Sequence, residues 1–285
     1  RPDVCQVGAF SELGVDLEQV LATLDRVALV AKEDAGKTEQ RLLDPKWLAQ
    51  TFRVLRWTPD ARRAADRKVT VTPDAIRLTK YLVYQVQGSP VPTEVYDTAL
   101  YGVLDADDGG WASFSRVDAY AGVFETGGQG HGMLRPLVYL SREGVNQALM
   151  QGSVEVQLED GTLKLYNVHK NNGVPWDSQQ KDGNLQGRYW TFQERSGISG
   201  VEGVILEPGA SVAGDIYNIG FGKLVALHHK DAGIRLAVLA DTGGAFQPNL
   251  FQLDWLAGAF PSHEAYEKDV AHIPKRVVAS VLVLR

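Results

Sequence analysis

Hydrophobic residues near the start of the chain recur at spacings of three and four, and this period predicts helix. A first helix is predicted over residues 15–32, where one face would carry Leu17, Val20, Leu21, Leu24, Val27 and Ala28. A second helix is predicted from Trp47 through Leu48, Phe52 and Leu55, ending before a Thr-Pro break. A short third helix is predicted over residues 141–150, with Ser141 as its N-cap.

After residue 69 the pattern changes to short β-branched and aromatic runs separated by glycine and turn residues. The predicted strands are residues 75–86, 95–104, 153–158, 163–168, 189–193, 223–228, 234–240 and 276–284. Asp160-Gly161 lies between two of these strands and favours the positive φ of a tight hairpin turn. Such strands are typical of sheets that close into barrels rather than of βαβ repeats. The chain is therefore predicted to be mainly β, with N-terminal helices.

Two segments, residues 88–92 and 177–187, have the composition of crossings between modules. If both are crossings, the chain forms one discontinuous domain, residues 1–92 and 186–285, that includes the N-terminal helices. Residues 93–185 would then be a second, smaller β domain inserted into it, with a cleft between the two.

Composition excludes several classes of protein. The chain has 285 residues, of which 44% are hydrophobic and 22% charged, an ordinary balance for a soluble globular protein. The net charge of −6 argues against a surface dedicated to nucleic acid or anionic lipid. The single cysteine, Cys5, excludes an internal disulfide framework and a multi-cysteine zinc site. No apolar run approaches the ~18 residues of a membrane span, so no transmembrane segment is predicted. The sequence leaves open a lipid anchor, which is not visible in this chain.

Common catalytic motifs for phosphate binding, zinc proteases and serine esterases are absent from the sequence. The glycine-rich segment 127–132 is interpreted as a loop, either mobile or contacting a ligand beside a cleft. His228 and His229 are neighbours in a predicted strand, so they point to opposite faces and cannot chelate one metal. No metal or cofactor is predicted.

Two aspartates near the end of the chain are the strongest candidates for chemistry. A predicted strand ends at Asp241, a Thr-Gly-Gly turn follows, and the chain returns with Asp254 between Leu253 and Trp255. Gly243 and Gly244 in that turn would let backbone amides approach a neighbouring group. From these residues alone two interpretations stay open: Asp241 caps a turn and Asp254 is solvated, or the two carboxyl groups work together.

Several short motifs occur in one order from about residue 76 to the C-terminus. They are Leu78-Thr79-Lys80-Tyr81 followed by Leu100-Tyr101, Gln151-Gly152-Ser153 followed by Asp160-Gly161, Lys170-Asn171-Asn172-Gly173, Tyr189-Trp190-Thr191-Phe192, Gly203-Val204-Ile205-Leu206 with Pro208-Gly209, Asp215, Asp241 and Asp254. In this order they resemble the membrane-bound lytic murein transglycosylase A family, whose three-aspartate domain is a double-psi β-barrel. The chain departs from the family pattern at Leu82, Val154 and Gln247-Pro248.

The resemblance implies cleavage of the β-1,4 bond between N-acetylmuramic acid and N-acetylglucosamine in peptidoglycan, without water, to leave a 1,6-anhydro ring. It implies Asp254 as the acid and then the base, with Asp241 as its catalytic neighbour. The substrate-binding residues that it implies are Thr79, Tyr81, Gln151, Ser153, Lys170, Asn171, Gly243, Gly244 and Asp215. It also implies peptidoglycan glycan strands as the partner, no cofactor, and a place in the periplasm or cell envelope, with association with the outer membrane left open.

The proposed acid must keep its proton near neutral pH, whereas a free aspartic acid titrates near ~3.9. Raising that pKa to about 6 disfavours the ionised form by roughly 3 kcal/mol. Burial among Phe251, Leu253 and Trp255 and repulsion by Asp241 are the effects expected to raise it. Two other classes stay open: a glycoside hydrolase that uses both aspartates, and a glycan-binding protein without turnover.

Overall fold

The computed structural model describes residues 15–106, 109–246 and 248–285; Cys5 and Gln247 lie outside the described residues. The helices are α1 (Leu17–Asp34), α2 (Pro45–Thr51), α3 (Ala61–Asp66), α4 (Arg116–Tyr120), α5 (Arg142–Gln151) and α6 (His263–Val270). The strands are β1 (Phe52–Trp57), β2 (Ile76–Gln87), β3 (Thr98–Val103), β4 (Leu134–Leu140), β5 (Ser153–Gln157), β6 (Leu163–Asn171), β7 (Trp190–Arg195), β8 (Ser211–Ala213), β9 (Leu224–His229), β10 (Gly233–Asp241), β11 (Gln252–Phe260) and β12 (Arg276–Leu284).

The chain divides into two compact units. The first holds residues up to Tyr81, Gly200–Gly258 and Tyr266–Arg285, and the second holds Leu82–Ser199 and Ala259–Ala265. The first unit is therefore discontinuous in sequence. The domain bounds at residues 92 and 186, and the cleft, stay predictions.

Six strands of the first unit close into a ring. Their order is β12-β9-β10-β8-β11-β2, and β12 also pairs with β2, where Arg276 lies opposite Arg77 and Val277 opposite Ile76. Within the ring β10 runs parallel to β8, while β9 is antiparallel to both β10 and β12. Closure removes the free edges that an open sheet would expose. The mainly β architecture with a barrel that the sequence predicted is confirmed.

Helix α1 forms as its apolar period predicts and docks on the barrel. The Asp16 side chain caps its start by accepting a hydrogen bond from Gln19 N at 2.9 Å. Val20 and Val30 are buried. The Thr23 hydroxyl oxygen accepts a hydrogen bond from Leu284 N of β12 at 2.9 Å, which ties the helix to the last strand.

The second predicted helix is wrong beyond residue 51. Helix α2 ends at Thr51, and Phe52–Trp57 forms β1, which pairs antiparallel with β12 from Phe52 opposite Leu284 to Trp57 opposite Ala279. Phe52 and Trp57 are buried. A partner strand distant in sequence has overridden the local helical spacing, as tertiary context commonly does for strand residues.

In the second unit, Tyr84–Gln87 of β2 pair in parallel with β5, and β5, β6 and β7 follow as antiparallel neighbours. The predicted hairpin is confirmed, since β5 and β6 join at Gly161 with φ +84°. The predicted helix over residues 141–150 forms as α5, and Gly144 N donates to the Ser141 hydroxyl at 3.2 Å. β3 and β4 make a separate two-stranded sheet.

Within the described ranges, no helix combines the length and apolar character needed to cross a membrane.

Candidate active site

The two candidate aspartates lie on strands that flank the same residue. Asp241 at the end of β10 and Asp254 in β11 both pair with Ala213 of β8, which runs between them. Residues paired in this way share one face of a sheet. Two strand spacings separate their Cα atoms by about 10 Å. The small side chain of Ala213 therefore lies between two carboxyl groups on one face of the barrel.

The turn after Ala213 holds these strands close together. Gly214 N donates to Asp241 O at 3.0 Å, and the Thr242 hydroxyl donates to Gly214 O at 2.7 Å. A Cβ atom at Gly214 would lie 2.7 Å from Leu253 Cδ2 and 3.0 Å from Leu239 Cδ1. Position 214 thus needs glycine because the two strands that carry the aspartates leave no space for a side chain.

Gly214→Ala is expected to lower the free energy of unfolding by about 1–3 kcal/mol, because the added methyl group forces Leu253 or Leu239 to shift. Gly244→Ala is the control. A Cβ atom at Gly244 would have no other atom within 4 Å, and the φ angle of Gly244 is not positive. This substitution should change the free energy of unfolding by at most about 0.5 kcal/mol. Urea unfolding measures both values. Equal stabilities for the two variants would contradict this account of Gly214.

Asp254 is half-buried, and its Oδ1 atom is buried with no hydrogen-bond partner among the described residues. Its chain neighbours Leu253 and Trp255 are buried. Burial raises the pKa of the Asp254 carboxyl; the Thr79 hydroxyl, and after it the charges of Arg77 and Lys80, oppose that rise. The Asp254 carboxyl therefore holds its proton more firmly than a solvated aspartic acid does.

Asp241 is also half-buried and has partners. The Tyr81 hydroxyl donates to Asp241 Oδ2 at 3.2 Å. Burial raises the pKa of Asp241 to about 6, and the charge of Asp254 adds to the rise, whereas hydrogen bonds from Thr242 N and Tyr81 oppose it. Burial and the Asp241 charge also raise the pKa of the Tyr81 phenol, which stays a donor. The charge of Asp254 acts on Asp241, so ionisation of one carboxyl group disfavours ionisation of the other.

One face of β2 supplies groups to both aspartates. Arg77, Thr79 and Tyr81 alternate along the strand and so point to the same side. Thr79 also donates to Leu253 O at 3.2 Å and accepts from Gln252 Nε2 at 2.9 Å, which fixes its hydroxyl beside β11. Thr79 and Tyr81 of the predicted binding residues therefore lie next to the aspartates.

Sequence reasoning missed Arg77 and Lys80 as groups that act on Asp254. Lys80 Nζ donates to Ile273 O at 2.8 Å, and burial lowers its pKa. The Tyr266 hydroxyl holds the same residue by donating to Lys80 O at 2.7 Å. The sequence did contain a signal for these two residues, because Arg77 and Lys80 lie in the same predicted strand as Thr79 and Tyr81.

Asp215, Gly243 and Gly244 also belong to the first unit. Asp215 is fully buried and accepts from Asn218 N at 3.1 Å, Asn218 Nδ2 at 2.7 Å and Asn249 N at 2.9 Å. These bonds tie the turn after β8 to the segment before β11. Gly243 and Gly244 follow Asp241 directly, and Gly243 O accepts from Phe246 N at 2.9 Å. Contact of these three residues with a substrate stays a prediction.

The other predicted binding residues belong to the second unit. Gln151 ends α5, and the buried Ser153 hydroxyl accepts from Asn167 Nδ2 at 3.2 Å. Lys170 and Asn171 are exposed at the end of β6, where Asn171 Oδ1 accepts from Gly173 N at 2.7 Å. Their binding roles stay predictions. Throughout the part of the chain that the structure describes, no group of three or more His, Cys, Asp or Glu side chains is placed to hold a metal ion.

Comparison with known proteins gives structural matches only, since no protein-family profile and no curated protein sequence matches the chain. The structure of E. coli MltA with bound chitohexaose superposes with a TM-score of 0.65 at 16% identity, covering 100% of this chain and 92% of that one. The chain has the MltA fold. The fold predicted from the motif resemblance is thereby confirmed.

Two further structures agree with the MltA fold. The membrane-bound lytic murein transglycosylase from Agrobacterium tumefaciens matches with a TM-score of 0.61 at 18% identity, over 98% of this chain and 86% of that one. The lytic transglycosylase LtgG of Burkholderia pseudomallei matches with a TM-score of 0.54 at 20% identity, over 99% and 91%. At such identities the likeness establishes the fold, and the activity has to be argued from the residues.

Proposed function

We propose that this chain is a peptidoglycan lytic transglycosylase that cleaves the β-1,4 bond between N-acetylmuramic acid and N-acetylglucosamine without water. The observation that carries the proposal is Asp254, a half-buried carboxyl group with an unpartnered buried oxygen, on the same barrel face as Asp241. The proteins with the same fold also support the proposal. They are described as lytic transglycosylases, and the structure of one of them, MltA, contains bound chitohexaose.

In the first step Asp254 acts as a general acid. Burial raises the pKa of both carboxyl groups, and two neighbouring carboxyl groups do not readily ionise together, so protonation of Asp254 is favoured. Asp254 donates this proton to the bridging oxygen, and the bond from that oxygen to the anomeric carbon of the muramic acid breaks. The leaving N-acetylglucosamine departs with a free 4-hydroxyl group.

In the second step the Asp254 carboxylate acts as a base. It takes the proton of the 6-hydroxyl group of the same muramic acid, and the freed oxygen bonds to the anomeric carbon. The product is a 1,6-anhydro ring, and Asp254 is protonated again. Because the substrate supplies the nucleophile, no water is consumed. Asp241 accepts a hydrogen bond from Tyr81, and its charge, when it is ionised, disfavours ionisation of Asp254.

The residues around Asp241 and Asp254 are proposed to contact the substrate. Thr79, Tyr81, Gly243 and Gly244 are proposed to contact sugar hydroxyl and acetamido groups near the reacting bond. Gln151, Ser153, Lys170 and Asn171 are proposed to contact further sugars, and Asp215 to bind indirectly by shaping the turn. The proposed partner is a glycan strand of peptidoglycan, and the proposed location is the periplasm or cell envelope.

The pH dependence of cleavage tests the coupling of the two aspartates. The acid must be protonated, so kcat/KM should be constant at low pH and fall as the pH rises through the apparent pKa of the pair. Asp241→Asn removes a negative charge that disfavours ionisation of Asp254, so the falling limb should move to lower pH. Asp66→Asn, an exposed change in the same unit, is the control. An unchanged profile in Asp241→Asn would contradict the coupling.

Release of soluble fragments from purified peptidoglycan tests the proposed function. The protein should clear the turbidity of a peptidoglycan suspension, whereas Asp254→Asn should sediment with the peptidoglycan and release almost nothing. If the unaltered protein also sediments without release, it is a glycan-binding protein and the proposed function is wrong.

A further inference from the structure

A surface cavity of about 820 Å³ lies entirely within the first unit and includes neither aspartate of the pair. Its lining is strongly basic. Lys68, Arg77, Lys275 and Arg276 contribute four positive charges, and among the described residues that line it Asp231 is the one carboxylate. In a chain whose net charge is −6, this concentration of positive charge is local.

The four cations lack ion-pair partners in the described part of the chain. Among the described residues none of them forms an ion pair with a carboxylate, and Asp231 Oδ2 instead lies 3.9 Å from His229 Nδ1. Arg276 Nη2 donates to Thr70 O at 3.2 Å, a contact that positions the guanidinium without cancelling its charge. Like charges gathered around a concave surface repel one another and attract anions from solution. The cavity is therefore suited to a ligand with several negative charges.

The cavity and the candidate active site share strand β2. Arg77 lines it and lies two residues before Thr79 in β2, and its charge acts on Asp254. Ile273 lines it as well, and its carbonyl oxygen accepts the hydrogen bond from Lys80. A ligand anchored by these cations would share a strand with the groups that surround the aspartate pair.

We propose that this cavity binds the carboxylate groups of the peptides attached to the glycan substrate. The inference rests on the proposed function. A peptide-free strand offers one lactyl carboxylate on each muramic acid, whereas an attached peptide brings several free carboxylates together, which suits a cavity lined by four cations. Arginine guanidinium groups bind carboxylates through paired, charge-assisted hydrogen bonds, and each lysine adds a compact positive charge. The cavity thereby distinguishes peptide-bearing strands from bare ones.

Binding of a fluorescently labelled muramyl peptide with three free carboxylates tests the proposal without turnover. The Lys275→Gln, Arg276→Gln double variant removes two cavity cations, both on exposed side chains. It should bind the peptide about tenfold more weakly, since an exposed charge pair contributes only modestly to binding. The matched control is Lys32→Gln, Lys46→Gln, which removes two exposed lysines of the same unit outside the cavity and should bind as the unaltered protein does.

A second ligand and a second condition keep the result independent of any folding defect. The same peptide with its carboxylates converted to carboxamides should bind the unaltered protein weakly, and added salt should weaken binding of the carboxylate form. Equal binding of the two peptides, or of the double variant and its control, would overturn the proposal. So would binding of anionic lipid vesicles without binding of the peptide.

The two proposals can fail separately. Peptide binding through the cavity in a protein that releases no fragments would refute only the lytic activity. Fragment release that is equal for peptide-bearing and peptide-free strands, with no peptide binding, would refute only the role of the cavity.

Discussion

Asp254→Asn should lower the rate of peptidoglycan cleavage by about 10³–10⁴-fold, because an amide can neither give the proton to the bridging oxygen nor take one from the 6-hydroxyl group. One residue carries both proton transfers in the proposed cycle, so no second group in the pair replaces it. Asparagine keeps the shape of the side chain, and binding of the glycan should be nearly unchanged. Fragment release over time, at substrate excess, gives the rate ratio.

The variant should also remain folded. Asp254 Oδ1 has no hydrogen-bond partner among the described residues, and burial already disfavours its charged form, so a neutral side chain costs little there. Its Tm should equal or exceed that of the unaltered protein at pH 7. Asp66→Asn, at an exposed position of the same unit, should retain full activity. A cleavage rate for Asp254→Asn within tenfold of the unaltered protein would remove Asp254 from the mechanism.

Trp255→Ala is expected to have the largest effect on stability, a loss of about 3–5 kcal/mol in the free energy of unfolding. The Trp255 side chain is 2% exposed and lies on β11 opposite Val212 of β8. The Arg235 guanidinium lies 5.9 Å from the centre of its ring. Truncation would leave a cavity inside the barrel directly beside the strand position of Asp254, and the closed ring of strands cannot collapse to fill it.

Trp176→Ala is the matched control for this prediction. Trp176 is 52% exposed, so its truncation removes little buried surface and should change stability by at most about 0.5 kcal/mol. Chemical denaturation of the two variants gives the comparison. If both lose similar stability, the packing of β11 against the barrel core is not what the structure indicates.

Elements with a strong local pattern were predictable from the sequence. Helix α1 has six apolar residues at helical spacing, and the hairpin between β5 and β6 has an Asp-Gly turn whose glycine does adopt positive φ. β8 was not predicted because three residues are too few to show a period. β1 was predicted as helix because its partner, β12, lies more than two hundred residues further along the chain.

The candidate site was predictable as a set of residues but not as an arrangement. Asp241 and Asp254 stand out in their motifs, yet their common partner Ala213 lies in the unpredicted β8. The hydrogen bond from Tyr81 to Asp241 joins residues 160 positions apart, and no local pattern encodes it. The effect of Arg77 and Lys80 on Asp254 is likewise set by barrel closure, which brings β2 beside β11.

The chemical identity of the new glycan ends tests the central claim most directly. Fragments released from purified peptidoglycan would be separated and weighed by mass spectrometry. The account predicts muramic acid ends that are lighter than hydrolysed ends by one molecule of water, with no oxygen taken up from isotopically labelled water. Reducing ends that carry the solvent oxygen would contradict it and would show that the two aspartates work as a hydrolase.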